Sequence, residues 1–206
     1  MGSRLKNTCE DEDFFANYAG SGKSYDRVWR HYSYAEELVT LWRAHPLPPV
    51  RRIMVLGAAT GRILPVLEKG FPGAKCGGCE LNAWAHARIP APFRRRIRRA
   101  DMRDYVRALA PGARFDLAFS NSLIYLPKRE VPRFLGDLAP HVRMIHFESS
   151  FRGSACPDPY RQTLESLEWW NCRFARAGYR PVRLKGVRRT YLWETGGAAD
   201  QATKTQ

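Results

Sequence analysis

The sequence predicts an α/β fold in which a mostly parallel sheet carries helices on both faces. Short apolar runs alternate with helix-like segments from residue 51 onward, and parallel strands need such crossover connections. The chain has 206 residues, of which 44% are hydrophobic. This size and composition suit one globular domain with a sizeable core. An aromatic-rich segment from Phe14 to His45, which we expect to be helical, precedes the first strand.

The elements follow one another after a break at the Pro-rich residues 46–49. Five strands are predicted at 51–58, 74–80, 96–101, 114–121 and 142–148. Helices are predicted between and after them at 61–70, 82–89, 102–110, 128–139 and 160–178. Asn82 suits an N-cap, and Gly178 suits a helix stop. Two strands at 179–186 and 188–194 then form an antiparallel pair, which predicts a seven-stranded sheet with an antiparallel last strand.

The chain is expected to divide into one domain and three flanking segments. We predict a disordered N-terminus at 1–13, a helical lid at 14–49, the main domain at 50–195 and a disordered tail at 196–206. No apolar run approaches the roughly 20 residues of a membrane span, and the N-terminus lacks the apolar region of an export signal. We therefore expect a soluble, cytoplasmic protein.

The net charge of +14 comes from 34 basic and 20 acidic residues. The excess is concentrated in residues 88–103 and 173–189. One interpretation is a coding bias towards Arg on a solvated surface. The other is a functional basic face that binds nucleic acid or an acidic metabolite.

The two cysteines of KCGGCE (75–80) suggest a metal or redox motif at first sight. Cys76 and Cys79 are three residues apart on a predicted strand, so their side chains point to opposite faces. They cannot readily share a metal ion or a disulfide, and no second Cys/His pair with zinc spacing occurs. We predict reduced core thiols and no metal site.

A ligand loop is predicted where the first strand meets the first helix, in VLGAATGR (55–62). Gly57 and Gly61 allow a tight turn and a close approach of ligand to backbone. Glu80 ends the second strand, where a carboxylate can accept hydrogen bonds from both hydroxyls of a ribose. Asp101 ends the third strand, within reach of an adenine amino group.

These motifs, together with GCELN, RADMRDY and FDLAFSNSLIYL, resemble class I, Rossmann-like methyltransferases that use S-adenosylmethionine (SAM) and release S-adenosylhomocysteine (SAH). The resemblance covers residues 50 to 195 and is strongest to small-molecule methyltransferases. It implies that the loop faces the methionine part of SAM and that Glu80 holds the ribose. Asp101 and Met102 would recognise adenine, and Ser120 and Asn121 would face the sulfonium and the acceptor. The cofactor-binding residues implied are Gly57, Ala58, Ala59, Gly61, Glu80, Leu81, Asp101, Met102, Ser120, Asn121 and Tyr25.

The loop departs from the family pattern at two positions. The family usually has an acid and a central Gly where this chain has Val55 and Ala59, which removes a usual partner of the methionine end. The competing interpretation is a NAD-dependent dehydrogenase. Such an enzyme usually has a G-x-G-x-x-G loop, which this sequence does not supply.

Three residues are candidates for handling the methyl acceptor. Tyr125 follows the fourth strand, and His146 and Glu148 lie on one face of the fifth. Two of them have a simpler interpretation: packing for Tyr125 and a satisfied core histidine for His146. The fourth strand ends in SNSLIY and lacks the Asn/Asp-Pro-Pro-aromatic motif of enzymes that methylate amino groups of DNA bases.

The segment NYAGSGKSYDRVW (17–29) resembles the N-terminal lead-in of small-molecule methyltransferases, including aminosugar N-methyltransferases. This likeness implies that Tyr18 and Tyr25 cover the cofactor and the acceptor. The alternative is an aromatic helix that only packs on the core.

Three functions remain open. The first is O- or N-methylation of a small acceptor, which could be anionic, in secondary metabolism; the lack of an added recognition domain favours it. The second is methylation of RNA or protein through a basic face. The third is SAM binding without catalysis, suggested by Val55 and Ala59, with a nucleotide enzyme that does not use SAM as a remaining option.

Overall fold

The computed structural model describes residues 12–18, 22–28, 32–148 and 160–196. Its strands are β1 (Arg52–Leu56), β2 (Lys75–Glu80), β3 (Ile97–Arg99), β4 (Phe115–Ser120), β5 (Val142–Phe147), β6 (Tyr179–Pro181) and β7 (Leu192–Thr195). They form one seven-stranded sheet in the order β3-β2-β1-β4-β5-β7-β6. β1 to β5 are parallel, and β7 pairs antiparallel with both β5 and β6. The predicted sheet, with its antiparallel last strand, is confirmed.

The helices that the structure describes are α1 (Glu12–Ala16), α2 (Tyr25–Val28), α3 (Tyr32–Ala44), α4 (Ile63–Gly70), α5 (Ala83–Ala87), α6 (Ala91–Arg94), α7 (Met102–Arg107), α8 (Val131–Leu138) and α9 (Leu167–Arg176). The N-terminal segment is thus divided into three helices. Asn82 caps α5 as expected, because its Oδ1 accepts a hydrogen bond from the N–H of Ala85 at 3.0 Å. No helix within the described ranges combines the length and apolar character needed to cross a membrane.

The prediction of a helix over 160–178 was wrong at its N-terminal end. The helix begins only at Leu167, with Ser166 as its N-cap. Thr163 donates a hydrogen bond from its hydroxyl to the carbonyl of Leu126 at 2.6 Å, so this stretch is tied to the segment after β4. Such a contact between distant parts of the chain overrides local helical periodicity.

The core lies on both faces of the sheet. On one face Val55, Phe119 and Met144 pack under α3 and α4. On the other face Leu56 and Phe147 pack under α8 and α9. The helices therefore cover both faces, as the alternation of elements predicted.

Cys76 and Cys79 confirm the predicted alternation of strand side chains. Both thiols are free and buried, Cys76 in the core under α4 and Cys79 in the core under α8. Burial raises the pKa of Cys76 to about 12 and also raises that of Cys79. Within the described residues no group of three His, Cys, Asp or Glu side chains is placed to bind a metal ion.

The two predicted tails fall almost entirely outside the described residues, which begin at Glu12 and end at Gly196. Cys9 and Cys156 also lie outside them.

Helix α3 packs closely on α4 at Gly70, where an added Cβ would come within 2.1 Å of Val39 Cγ2. This close approach places α3 over the face of the sheet that carries β5 residues Met144 and His146.

Candidate functional site

The loop between β1 and α4 lies at the carboxyl end of the parallel strands. The N–H groups of Gly57 and Ala58 both donate to the carbonyl of Cys79, at 3.0 and 3.1 Å, which ties the loop to the end of β2. Gly57 has φ of 80°, and an added Cβ would lie 2.2 Å from Ser122 Oγ. A glycine is therefore required here, because it lets the end of β4 approach the loop.

Ala59 adopts a left-handed conformation with φ of 49°. This is the position at which the resemblance expects a glycine, and the backbone explains why glycine is favoured there. The Ala59 N–H donates a hydrogen bond of 2.6 Å to Glu80 Oε2. Val55, where the resemblance expects an acid, is fully buried in the core under α4.

Glu80 holds the loop and the start of α5 together. The residue is only 4% exposed, and its Oε1 accepts a hydrogen bond of 2.8 Å from the Asn82 N–H. Burial raises its pKa to about 7, and the hydrogen bonds from backbone N–H groups lower it only in part. Because each carboxylate oxygen can accept two hydrogen bonds, Glu80 retains acceptor capacity for a ligand hydroxyl. Its neighbour Leu81 is half-buried.

Asp101 caps α7 and is already engaged by a basic side chain. Its Oδ1 accepts from the Arg103 N–H at 2.7 Å, and its Oδ2 pairs with Arg103 Nη2 at 2.5 Å. Burial alone would raise the pKa of Asp101, but the hydrogen bonds from Arg103 bring it below the ordinary value. Any adenine contact must therefore share this carboxylate with Arg103. Met102, the first residue of α7, is half-buried.

Ser120 and Asn121 at the end of β4 were both predicted to face the sulfonium and the acceptor, but their surroundings differ. Ser120 is buried, donates from Oγ to the carbonyl of Leu56 at 2.9 Å and accepts from the Ser122 N–H at 3.0 Å. Its hydroxyl joins β4 to β1. Asn121, which follows, is half-buried at the edge where the ligand loop lies.

An aromatic roof covers the ligand loop. It consists of Phe14, Phe15, Tyr18, Tyr25, Trp84, Tyr125 and Tyr160, which pack over Ala59 and Ala85. The ring of Phe14 lies 5.4 Å from that of Tyr18 and 6.1 Å from that of Tyr125, both edge to face. The Tyr18 and Tyr25 rings lie 5.2 Å apart. The structure thus brings these three tyrosines together above the loop.

A polar contact that was not predicted from the sequence joins α2 to the ligand loop. The hydroxyl of Thr60 donates to Asp26, at 2.7 Å from Oδ1 and 2.9 Å from Oδ2. Arg62 Nε lies 3.6 Å from Asp26 Oδ2. We call this contact the Asp26–Thr60 latch. The only signal in the sequence is that Asp26 follows Tyr25 and that Thr60 lies inside the loop motif.

His146 lies on β5, and Glu148 follows the last residue of that strand, Phe147, instead of lying within it as predicted. His146 is buried and stacks on Phe119, with ring centroids 5.3 Å apart. Burial lowers the pKa of His146 to about 3, so the imidazole is neutral. Its Nε2 lies 3.7 Å from Glu148 Oε2, which is longer than a hydrogen bond.

Glu148 lies next to the end of β4. Ser120 pairs with Phe147 across the parallel strands, so Asn121 and Glu148 are the next positions along the same edge. Burial raises the pKa of Glu148 to about 7, and the negative charge of Glu37 on α3 adds to the rise.

The fold is shared with several solved structures, although no protein-family model and no curated protein matches the chain. The sugar N-methyltransferase KedS8 from Streptoalloteichus sp. is 18% identical, with 83% of this chain and 91% of that chain aligned and a TM-score of 0.60. The magnesium protoporphyrin IX methyltransferase ChlM from Synechocystis, with SAM bound, is 17% identical over 94% and 97% of the two chains, with a TM-score of 0.59. The plantazolicin methyltransferase BpumL, in complex with SAH, is 14% identical over 84% and 71%, with a TM-score of 0.57. The chain therefore has the fold of the class I, Rossmann-like methyltransferases.

Proposed function

We propose that this chain is a SAM-dependent methyltransferase that acts on an oxygen or nitrogen atom of a small molecule. The observation that carries the proposal is the pairing of Glu80 with the ligand loop at the carboxyl edge of a methyltransferase fold. Ligands of open α/β sheets bind at this edge. The aromatic roof closes over the same loop, which favours a small acceptor.

The residues of the edge fit the cofactor. Gly57 lets Ser122 pack against the loop, which fixes the loop beside the end of β4. Glu80 is a buried acceptor for ribose hydroxyls. The proposed contacts to adenine come from Asp101 and Met102, and those to the methionine end from the loop and Asn121.

When bound, SAM supplies an activated methyl group, so the chain mainly has to align the acceptor and take up its proton. Glu148 suits the proton transfer, because its pKa of about 7 lies near neutral pH. His146, with a pKa of about 3, is a weak base, and we assign it a positioning role next to Glu148. Tyr125 borders the acceptor through the aromatic roof.

A role in secondary metabolism and a cytoplasmic location belong to the same proposal. The metabolic role is supported by proteins with a similar fold, which include a sugar N-methyltransferase and a mitomycin 7-O-methyltransferase.

The alternative function, methylation of RNA, is favoured by one observation. Four exposed basic residues lie between β6 and β7: Arg183, Lys185, Arg188 and Arg189.

The proposal is tested by calorimetry with SAM and SAH on the wild type and on Glu80→Gln. We expect the wild type to bind both, and the variant to lose about 1–3 kcal/mol of binding free energy, because a buried charged acceptor is removed.

Glu68→Gln is the matched control. Glu68 accepts a hydrogen bond of 2.8 Å from the N–H of Cys76, at the opposite end of β2, and pairs with Arg96. We expect its loss to lower stability and leave SAM affinity unchanged. Absence of SAM and SAH binding to the wild type, or equal losses in the two variants, would contradict the proposal. Turnover of SAM with any acceptor would exclude a non-catalytic SAM-binding protein.

A further inference from the structure

Arg103 binds both oxygens of the Asp101 carboxylate. Its guanidinium donates from Nε to Oδ1 at 2.9 Å and from Nη2 to Oδ2 at 2.5 Å. The backbone N–H of Arg103 also donates to Oδ1, at 2.7 Å. A planar guanidinium that meets both oxygens of a carboxylate fixes the orientation of that carboxylate as well as its charge.

Glu130 holds the same guanidinium from the other side. The remaining terminal nitrogen of Arg103, Nη1, pairs with Glu130 Oε2. Asp101 is the N-cap residue of α7, and Glu130 is that of α8. One arginine therefore joins the starts of two helices, and its three nitrogens are each engaged by a carboxylate.

Asp101 lies next to the strand end that carries Glu80. The N–H of Ala100 donates to the carbonyl of Glu80 at 3.1 Å, so the segment that leads to Asp101 continues along the end of β2. The side chain of Asp101 is 15% exposed, which leaves part of its carboxylate open to a ligand. The proposed acceptor for the ribose and the proposed contact to adenine are thus neighbours at one edge.

The hydrogen bonds from Arg103 leave Asp101 with one open acceptor position. Each carboxylate oxygen can accept two hydrogen bonds. Among the described residues, Oδ1 accepts two, both from Arg103, whereas Oδ2 accepts one. Burial alone would raise the pKa of Asp101, but the hydrogen bonds from Arg103 bring it below the ordinary value. Asp101 therefore stays ionised and offers a ligand one acceptor and no donor.

We propose that Arg103 is a positioning residue that makes cofactor binding selective for adenine over hypoxanthine. Arg103 acts through Asp101, whose one open acceptor suits the amino group of adenine. Hypoxanthine has a carbonyl oxygen at the same ring position, and two acceptors that face each other repel. This inference rests on the proposed methyltransferase function and adds to it a residue that does not itself contact the base.

The loss of Arg103 would remove the selectivity in two ways. Burial would then favour the protonated form of Asp101, and a protonated carboxyl group can donate a hydrogen bond to the carbonyl of hypoxanthine. The carboxyl group would also be free to turn about its side-chain bonds. Adenine and hypoxanthine would then be bound with similar affinity at this position.

The test compares SAH with S-inosylhomocysteine, its deaminated analogue. The analogue carries a carbonyl oxygen in place of the amino group, and a proton on N1. Binding of each compound to the full chain is measured by calorimetry. We expect the wild type to bind SAH at least about tenfold more tightly, because a hydrogen bond to a charged acceptor is replaced by repulsion. The change at N1 is the same in every variant and drops out when variants are compared.

Single variants test the contacts one by one. Arg103→Gln should remove most of the preference for SAH, and Glu130→Gln should lower it in part. Arg133→Gln is the matched control, since it removes the same charge from α8, where Arg133 lies near Asp137, and it should leave the preference intact. A loss of stability lowers both affinities by the same factor, so the preference reports the contact with the base.

A double variant tests whether Arg103 acts through Asp101. Asp101→Asn should abolish the preference, because an amide offers both a donor and an acceptor. The addition of Arg103→Gln should then change the preference no further, since both substitutions remove the same contact.

The outcomes separate this inference from the proposed function. SAH binding without a preference in the wild type overturns the inference and leaves the proposed function standing. A preference that survives in Arg103→Gln or in Asp101→Asn also overturns it, as does an equal loss in Arg133→Gln or a further change in the double variant. Absence of SAH binding to the wild type overturns both proposals.

Discussion

Ala59 combines two opposing effects in one residue of the ligand loop. Its φ of 49° strains an L-residue, at a cost of roughly 1–2 kcal/mol. Its methyl group packs into the cluster under the aromatic roof, and burial of such a group contributes about 0.8 kcal/mol. The family's usual glycine would relieve the strain and lose the packing.

We therefore predict that Ala59→Gly changes the free energy of unfolding by less than about 1 kcal/mol, because the relief of strain offsets the lost methyl group and the added chain entropy of glycine. Ala85→Gly is the matched control, since Ala85 lies in the same cluster but in helix α5. It should cost about 2 kcal/mol, from helix propensity and the lost methyl group. Urea denaturation of both variants measures the difference, and equal losses would contradict the strain argument.

At the scale of helices and loops, the Asp26–Thr60 latch couples the aromatic roof to the ligand loop. It joins α2, which carries Tyr25 of the aromatic roof, to the loop that we propose binds SAM. A hydrogen bond to a charged group contributes about 1.5–3 kcal/mol when buried, and the partial exposure of this one lowers that value. The Asp26–Thr60 latch thus links the position of the aromatic roof to the conformation of the ligand loop.

Loss of the latch is expected to loosen α2 and weaken cofactor binding together. Asp26→Asn and Thr60→Val should each speed trypsin cleavage after the exposed Arg27 and weaken SAH binding several-fold. The double variant should be no worse than the more affected single variant, because both substitutions remove the same contact. Asp104→Asn, which breaks an exposed ion pair with Arg107, serves as the control. Additive losses in the double variant would exclude a coupled latch.

For helix α9, the local sequence pattern predicts one end of the helix but not the other. Its end at Gly178 was predictable, because a glycine with positive φ follows the last turn. Its start was not, since Thr163 is held by the carbonyl of Leu126 from a distant part of the chain.

In the whole molecule, the two basic segments lie at opposite edges of the sheet. The exposed residues Arg98 and Arg99 lie on β3, one end of the strand order. The basic residues of 183–189 flank β6, the other end. At about 4.8 Å per strand, a seven-stranded sheet separates these edges by roughly 30 Å. These two described basic segments therefore do not form one continuous face around the candidate site.

From this separation we predict only weak, non-specific binding of RNA. A single-stranded 20-nucleotide RNA should bind at 50 mM salt and lose at least about tenfold in affinity by 200 mM, as expected for contacts to phosphates alone. Fluorescence anisotropy measures both values. Tight binding at 200 mM salt, together with methylation of the RNA, would instead favour the RNA methyltransferase alternative.

The sequence by itself determined the alternation of strands and helices after residue 50, the opposite faces of Cys76 and Cys79, and the placement of the loop, Glu80 and Asp101 at or just after successive strand ends. These features depend on periodicity, turn residues and spacing, which act over a few residues. Tertiary structure alone decided that Glu80 holds Ala59 and that Asp26 reaches Thr60. Each pair joins residues 21 or more positions apart in the chain, and such contacts follow from how the helices pack on the sheet. Packing depends on all the elements at once, so no local pattern in the sequence encodes it.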